Sequence, residues 1–136
     1  MNITVIDGQG GSLGKALIEQ IIANIENVNI TAVGTNSAAT AAMKKGGAQI
    51  CATGENPVKV ACKKADVIVG PIGIICADAM HGEITPQMAM WVGQSEAVKV
   101  LIPVNGCSLK IAGAKGSNMA SYIKAAIDEI KESCSN

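Results

Sequence analysis

The segment "DGQGGSLGK", residues 7–15, joins a strand pattern to a helix pattern and so indicates the class of fold. The preceding "NITVI" is short and β-branched, as is typical of a strand. After it, apolar residues recur at helical spacing: Leu17, Ile18, Ile21, Ile22 and Ile25. Four glycines between a strand and a helix indicate either a tight turn or a cradle for phosphate.

The same alternation of strand and helix patterns continues along the chain. Strands are predicted at Ile3–Ile6, Asn29–Val33, Ala48–Cys51, Val67–Val69 and Lys99–Pro103. Helix starts are predicted at Asn36 or Ser37, at Asn56 with Pro57, and at Thr85 with Pro86. "SLKIAGA", residues 108–114, is a candidate sixth strand at the edge, reached through the Asn105-Gly106 turn.

Strands that alternate with helices over short connections predict a parallel sheet covered by helices on both faces. We therefore expect one α/β domain over residues 1–136, a Rossmann-like three-layer sandwich with a mostly parallel sheet of five or six strands. The doubly wound strand order, with its switch point beside the first strand, is favoured. A flavodoxin-like order is the alternative.

Composition excludes several classes of function. The chain has 49% apolar residues, zero net charge and no run of more than two basic residues, so no lysine or arginine stripe can track nucleic acid. No apolar run reaches the roughly 20 residues that span a bilayer, and "MNITVID" lacks the features of a signal peptide. We expect a cytoplasmic protein. All eleven basic residues are lysine, so no guanidinium can grip a phosphate with two hydrogen bonds.

The five cysteines form no CxxC pair, so no metal site is predicted. We interpret them as small buried hydrophobic residues in a reducing compartment: Cys51, Cys62, Cys76, Cys107 and Cys134. The high apolar content of so small a chain also predicts a homo-oligomer. Its expected contacts are the helix around Met88–Trp91 and the final helix.

The segments that follow the predicted strands are rich in glycine and small polar residues, whereas those that precede the strands are ordinary solvated turns. In a doubly wound sheet, ligands bind at the carboxyl ends of the strands. The predicted cofactor-binding residues are therefore Gly8, Gln9, Gly10, Gly11, Ser12, Leu13, Gly14, Thr35, Asn36, Ser37, Thr53, Gly70, Pro71, Ile72, Gly73 and Asn105. Turns need glycine for themselves, so a structural origin of this asymmetry stays open.

The strict G-x-G-x-x-G fingerprint is absent, but the spacing Gly8-x-x-Gly11-x-x-Gly14 is present. It resembles the glycine pattern of extended short-chain dehydrogenase and epimerase relatives, which implies NAD(P) as a possible cofactor. There the three glycines allow the turn, admit the pyrophosphate and pack the helix on the strand. The second strand ends in "GTNS", which contains no acidic residue and no arginine, so the sequence does not choose between NAD and NADP.

Two further features depart from a plain dehydrogenase. The catalytic Tyr-x-x-x-Lys is missing, because Ala126 stands four places after Tyr122, and Tyr122 is expected to pack the last helix. Asp7 would repel a phosphate at this turn. It can instead hold backbone N–H groups of a neighbouring loop, or help to bind a metal–phosphate ligand.

The segment Gly70–Trp91 follows the fourth strand and contains the candidate catalytic residues Asp78, His81 and Glu83. A histidine beside carboxylates can act as a general base near neutral pH. The alternative is an exposed loop with ordinary polar residues.

Blocks along the whole chain, including "IDGQGGSLGK", "ADVIVGPIGII", "GEITPQMA" and "LIPVN", resemble an uncharacterised family of short Rossmann-like bacterial proteins common in clostridia. The resemblance implies the fold and supplies no catalytic residue. Our leading hypothesis is a small module that binds NAD(P) or another adenine nucleotide, as a sensor or a subunit. The alternatives are a minimal oxidoreductase or isomerase that uses the Asp78–Glu83 loop, and a non-catalytic structural partner.

Overall fold

A computed structural model describes residues 1–104, 108–114 and 116–135. The strands are β1 (Asn2–Asp7), β2 (Asn29–Gly34), β3 (Ile50–Thr53), β4 (Val67–Pro71) and β5 (Val98–Ile102). The helices are α1 (Ser12–Asn24), α2 (Ser37–Lys45), α3 (Glu55–Lys64), α4 (Pro86–Gln94) and α5 (Met119–Cys134), and a short 3-10 helix covers Ile72–Ile75. The alternation of strands and helices predicted from the sequence is confirmed.

The five described strands form one parallel sheet in the order β3-β2-β1-β4-β5. This is the doubly wound order, and the flavodoxin-like alternative is wrong. β1 lies at the centre, paired with β2 from Asn2↔Asn29 to Asp7↔Gly34 and with β4 from Ile3↔Val67. The chain leaves β1 for one side of the sheet and returns beside it at β4, so a crevice opens at the carboxyl ends of β1 and β4.

The core lies on both faces of this sheet, because successive strand residues point to opposite sides. Ile3 and Val5 of β1 pack with residues of α1, α2 and α5, whereas Ile6 packs with residues of α3 and α4. Tyr122 packs against the first of these clusters, as the sequence predicts. The result is the expected three-layer sandwich.

The predicted sixth strand is wrong. Residues 108–114 form no strand, and a turn closes there from the Ala114 N–H to the Ile111 carbonyl at 3.1 Å. Leu109 and Ile111 are both exposed, so their alternation has no sheet face to cover. The Asn105-Gly106 turn lies outside the described residues.

Two local boundaries also differ from the prediction. β3 begins at Ile50, because the Gln49 side chain, not its backbone, accepts the hydrogen bond of the Ile30 N–H at 2.8 Å. α3 begins at Glu55, after Gly54, whose φ of 109° is a backbone conformation that favours glycine. Asn56 therefore lies inside the first turn of α3 and is not its N-cap. The cap at Thr85 before Pro86 is confirmed by a 3.1 Å hydrogen bond from the Met88 N–H.

No helix in the described ranges combines the length and the apolar character needed to cross a membrane.

Candidate functional site

The segment from Gly8 to Gly14, here called the glycine loop, carries the chain from β1 into α1. The Gly11 N–H donates to the Gly8 carbonyl at 3.0 Å, which closes the turn. Gly11 is the N-cap of α1 and has a φ of 74°, a left-handed conformation that favours glycine. The loop therefore presents the amino end of a 13-residue helix at the carboxyl edge of the sheet.

Asp7 lies beneath this loop and is only 6% exposed. Its Oδ1 accepts from the Gly8 N–H at 2.8 Å and its Oδ2 from the Gly14 N–H at 2.7 Å. Burial raises the pKa of Asp7, and the two backbone hydrogen bonds oppose that rise in part. Of the roles predicted for Asp7, holding backbone N–H groups is what it does here, although the groups belong to its own loop.

Three amides of the loop keep free donors. The N–H groups of Gly10, Ser12 and Leu13 donate to no group within the described ranges. Such groups at the amino end of a helix carry a partial positive charge and are suited to an anion. All three residues line one cavity.

The cavity measures about 670 Å³ and lies on the β4 and β5 side of the glycine loop. That volume is within the range typical of small-molecule sites. Its walls are the end of β4, the turns that follow, and the segment leading into α5. The residues from these walls are Pro71, Gly73, the stretch from Cys76 to His81, Val104, Ser108, Leu109 and Met119.

Of the predicted residues, the loop from Gly8 to Leu13, Pro71 and Gly73 therefore meet at this cavity. Sequence reasoning missed its apolar wall, which includes Val104, Leu109 and Met119. The sequence signal that could have found this wall is the position of these residues, just after β5 and at the start of α5. Their residue type gives no signal, because core residues are apolar as well.

The glycines differ in what they make room for. A Cβ at Gly11 would lie 2.7 Å from the backbone of Ala39, so this glycine lets α1 approach α2. A Cβ at Gly14 would lie 2.9 Å from the Asp7 Cβ, in agreement with the predicted packing of helix on strand. Only open space surrounds a Cβ at Gly10, so a side chain can be added at this cavity-lining residue without meeting the protein at its Cβ.

The turns between the 3-10 helix and α4, residues 76–85, are here called the 76–85 loop. Its backbone is left-handed at Asp78, Met80, His81 and Gly82, which is uncommon outside glycine. Internal hydrogen bonds hold this path, including Asp78 N–H to the Ile84 carbonyl at 2.7 Å. Strained backbone of this kind persists only where the surrounding structure determines it.

The 76–85 loop brings Glu83 to the end of β2. Glu83 Oε1 accepts from Thr35 Oγ1 at 2.6 Å, from Asn36 Nδ2 at 2.6 Å and from the Gln9 N–H at 3.0 Å. The hydrogen bond from Thr35 is the main cause that lowers the pKa of Glu83, while partial burial opposes it. The sequence predicts both Thr35 with Asn36 and Glu83 as site residues, but not their contact.

Asp78 and His81, the other candidate catalytic residues, are exposed and line the cavity. The His81 side chain makes no hydrogen bond to either carboxylate in the described part of the chain. A role in proton transfer stays a prediction.

The remaining predicted residues lie elsewhere. Ser37 is the exposed first residue of α2, and Thr53 Oγ1 is 2.7 Å from Thr40 Oγ1. Gly70 is buried where β4 approaches β1, since a Cβ there would meet the Ile6 carbonyl, and Ile72 starts the 3-10 helix. Asn105 lies outside the described residues.

The cysteines differ from one another in burial. Cys62 is buried, and burial raises the pKa of its thiol to about 11. Cys51 and Cys76 are half-buried, whereas Cys134 is exposed, so the expectation of uniform burial is wrong for it. Cys107 lies outside the described residues. Among the residues that the structure describes, no three His, Cys, Asp or Glu side chains gather as they would around a metal ion.

One family model matches residues 2–135, which is nearly the whole chain, and its description is "Domain of unknown function (DUF3842)". The chain belongs to this family. This agrees with the resemblance to an uncharacterised Rossmann-like family, and the description names no activity. Comparison with curated proteins and with solved structures returned no match.

Proposed function

We propose that this DUF3842 protein is a nucleotide-binding module that takes an adenine nucleotide, either a mononucleotide or NAD(P), and acts as a sensor or as a subunit. The phosphate would accept hydrogen bonds from the N–H groups of Gly10, Ser12 and Leu13. The observation that carries the proposal is that these three donors lack partners in the described chain and line one cavity of about 670 Å³.

The charges around the cavity limit how tightly a phosphate would bind. No lysine is among the described residues that line it, and the chain has no arginine. The partial positive charge of α1 favours an anion, while the Asp7 carboxylate beneath the loop opposes it. Affinity therefore depends on amide hydrogen bonds to a charged acceptor, each of which contributes about 1.5–3 kcal/mol.

The apolar wall suits the base of a nucleotide. Pro71, Val104, Leu109 and Met119 supply carbon surface opposite the glycine loop. Ligand sites combine such surface with a few placed polar groups, and here those groups are the three amides and the Ser12 hydroxyl. An adenine nucleotide presents both kinds of surface.

The proposal is tested with Gly10→Val, which adds a branched side chain beside the Gly10 amide, at a position where a Cβ has no protein atom within 4 Å. We expect the variant to lose about tenfold or more of its affinity for AMP, or for NAD if NAD binds, in isothermal titration calorimetry. Gly93→Val in α4 is the matched control, since a Cβ there also meets open space and lies away from the cavity. Equal affinity in Gly10→Val and the parent would overturn the proposal.

A second candidate is a minimal oxidoreductase or isomerase. It is favoured by one observation, that Asp78 and His81 line the same cavity as the free amides. Turnover on a panel of small substrates with added cofactor would support it, provided that His81→Gln removes the turnover. Failure to bind any nucleotide would instead favour a structural partner.

A further inference from the structure

The Thr35 and Asn36 side chains, which follow β2, already have partners within the protein. Thr35 donates to Glu83, and Asn36 Nδ2 donates to Glu83 and to the Gln9 carbonyl at 2.9 Å. Asn36 Oδ1 accepts from the Ala39 N–H at 2.9 Å. On this side of the glycine loop the chain binds itself, whereas the N–H groups of Gly10, Ser12 and Leu13, which line the cavity, have no partner among the described residues.

The 76–85 loop also covers the glycine loop from above. A Cβ at Gly8 would lie 2.7 Å from Met80 Sδ and 3.1 Å from Glu83 Oε1. Met80 and Glu83 therefore stand directly over the step between the ends of β1 and β2. Thr35, Asn36 and Glu83 are not among the described residues that line the cavity of about 670 Å³.

In a doubly wound fold, a dinucleotide lies across the sheet edge, and the ribose of one half bonds to the residue at the end of the second strand. Here the Glu83 carboxylate, which belongs to the 76–85 loop after β4, lies where the ribose of a dinucleotide would lie. A carboxylate oxygen accepts from the Thr35 and Asn36 side chains and from the Gln9 amide. These donors would otherwise face the ribose.

We propose that Glu83 sets the ligand class of this site. It fills the ribose position at the end of β2, so the protein takes a nucleoside monophosphate on the β4 and β5 side and excludes dinucleotides. This inference rests on the proposed function, and it narrows the ligand from adenine nucleotides in general to single nucleotides. Glu83 is a specificity-determining residue that acts through occupancy, without touching the bound ligand.

The test compares AMP with NAD on the full chain by isothermal titration calorimetry. We expect the parent to bind AMP about tenfold more tightly than NAD or better. Glu83→Ala removes the carboxylate and frees the three donors, so NAD should gain about tenfold in affinity while AMP changes little. Glu83→Gln keeps an acceptor oxygen and the bulk of the side chain, and should retain the preference for AMP. Glu26→Ala, at an exposed turn before β2, is the matched control.

The outcomes separate the two proposals. If NAD binds the parent as tightly as AMP, or if folded Glu83→Ala gains nothing for NAD, the role of Glu83 is overturned while nucleotide binding stands. If neither AMP nor NAD binds the parent or any variant, the proposed function fails and this inference fails with it. Should Glu83→Ala unfold, as judged by circular dichroism, the AMP-to-NAD ratios of the parent and Glu83→Gln decide.

Discussion

The Asp7 carboxylate is buried and accepts hydrogen bonds from two backbone N–H groups, and burial raises its pKa. The raised pKa makes the free energy of unfolding depend on pH. The native state holds the Asp7 proton more tightly than the unfolded chain, so ionisation costs stability as pH rises through the raised pKa. Lowering the pH from neutral towards 3.8, the ordinary pKa of aspartate, should therefore stabilise the parent relative to Asp7→Asn, which cannot titrate.

The measurement is urea unfolding of both proteins across that range. Glu83, whose pKa is lowered from 4.5, acts in the opposite direction and only below that pH, where protonation removes its contribution. Because Glu83 is present in both proteins, a difference between their free energies of unfolding that stays constant from neutral pH down to 3.8 would contradict the role assigned to Asp7 burial.

Gly10 and Gly11 are adjacent in sequence, but only Gly11 has no room for a side chain. Ala at Gly11 meets the Ala39 backbone at 2.7 Å in a left-handed conformation, so we expect Gly11→Ala to lose about 2–4 kcal/mol of stability. Gly10→Ala meets nothing and should change stability by less than about 0.5 kcal/mol. Chemical denaturation of the pair checks this, and similar losses in both would show that α1 and α2 are not in close contact there.

At the scale of elements, hydrogen bonds to Glu83 from Thr35, Asn36 and the Gln9 N–H hold the 76–85 loop at the end of β2. Thr35→Val deletes the 2.6 Å hydrogen bond to Glu83, so the pKa of Glu83 should rise. Carbon-13 NMR titration of the Glu83 carboxyl group measures it directly. Thr31→Val, within β2 and away from Glu83, is the control. If only the control moves the titration, Glu83 is not bonded to Thr35 in solution.

Sequence patterns predicted the elements well where the signal is local. The cap at Asn36, and Thr85 with Pro86, lie within three residues of the amides that they bind. Glu83 was beyond such reasoning, because its partners Thr35 and Asn36 are 48 and 47 residues away and Gln9 is 74 away. The position of Glu83 depends on left-handed backbone conformations at Asp78, Met80 and His81, and the identity of such non-glycine residues does not predict that conformation.

For the whole molecule, the parallel sheet was predictable from the alternation of elements, whereas the extent of apolar surface left outside was not. Of the helix expected to mediate self-association, Met88 is buried, and Met90 is 47% exposed. We predict that the protein self-associates through the face of α4 that carries Met90, and that Met90→Glu shifts the protein to a monomer. Light scattering at high micromolar concentration measures this, with Ile22→Glu on α1 as a control for added charge alone. A parent that is monomeric there contradicts the prediction.

The central position of β1 sets the order in which the chain can fold during synthesis. Its contacts with β2 form early, but its other edge waits for β4, as the Asn2 to Asp66 hydrogen bond spans 64 residues. Translation at about 5–20 residues per second leaves that edge unpaired for roughly 3–13 s. A nascent chain that pauses before β4 therefore exposes an apolar strand, so chains slowed at that point of translation should depend on chaperones more than the finished protein does.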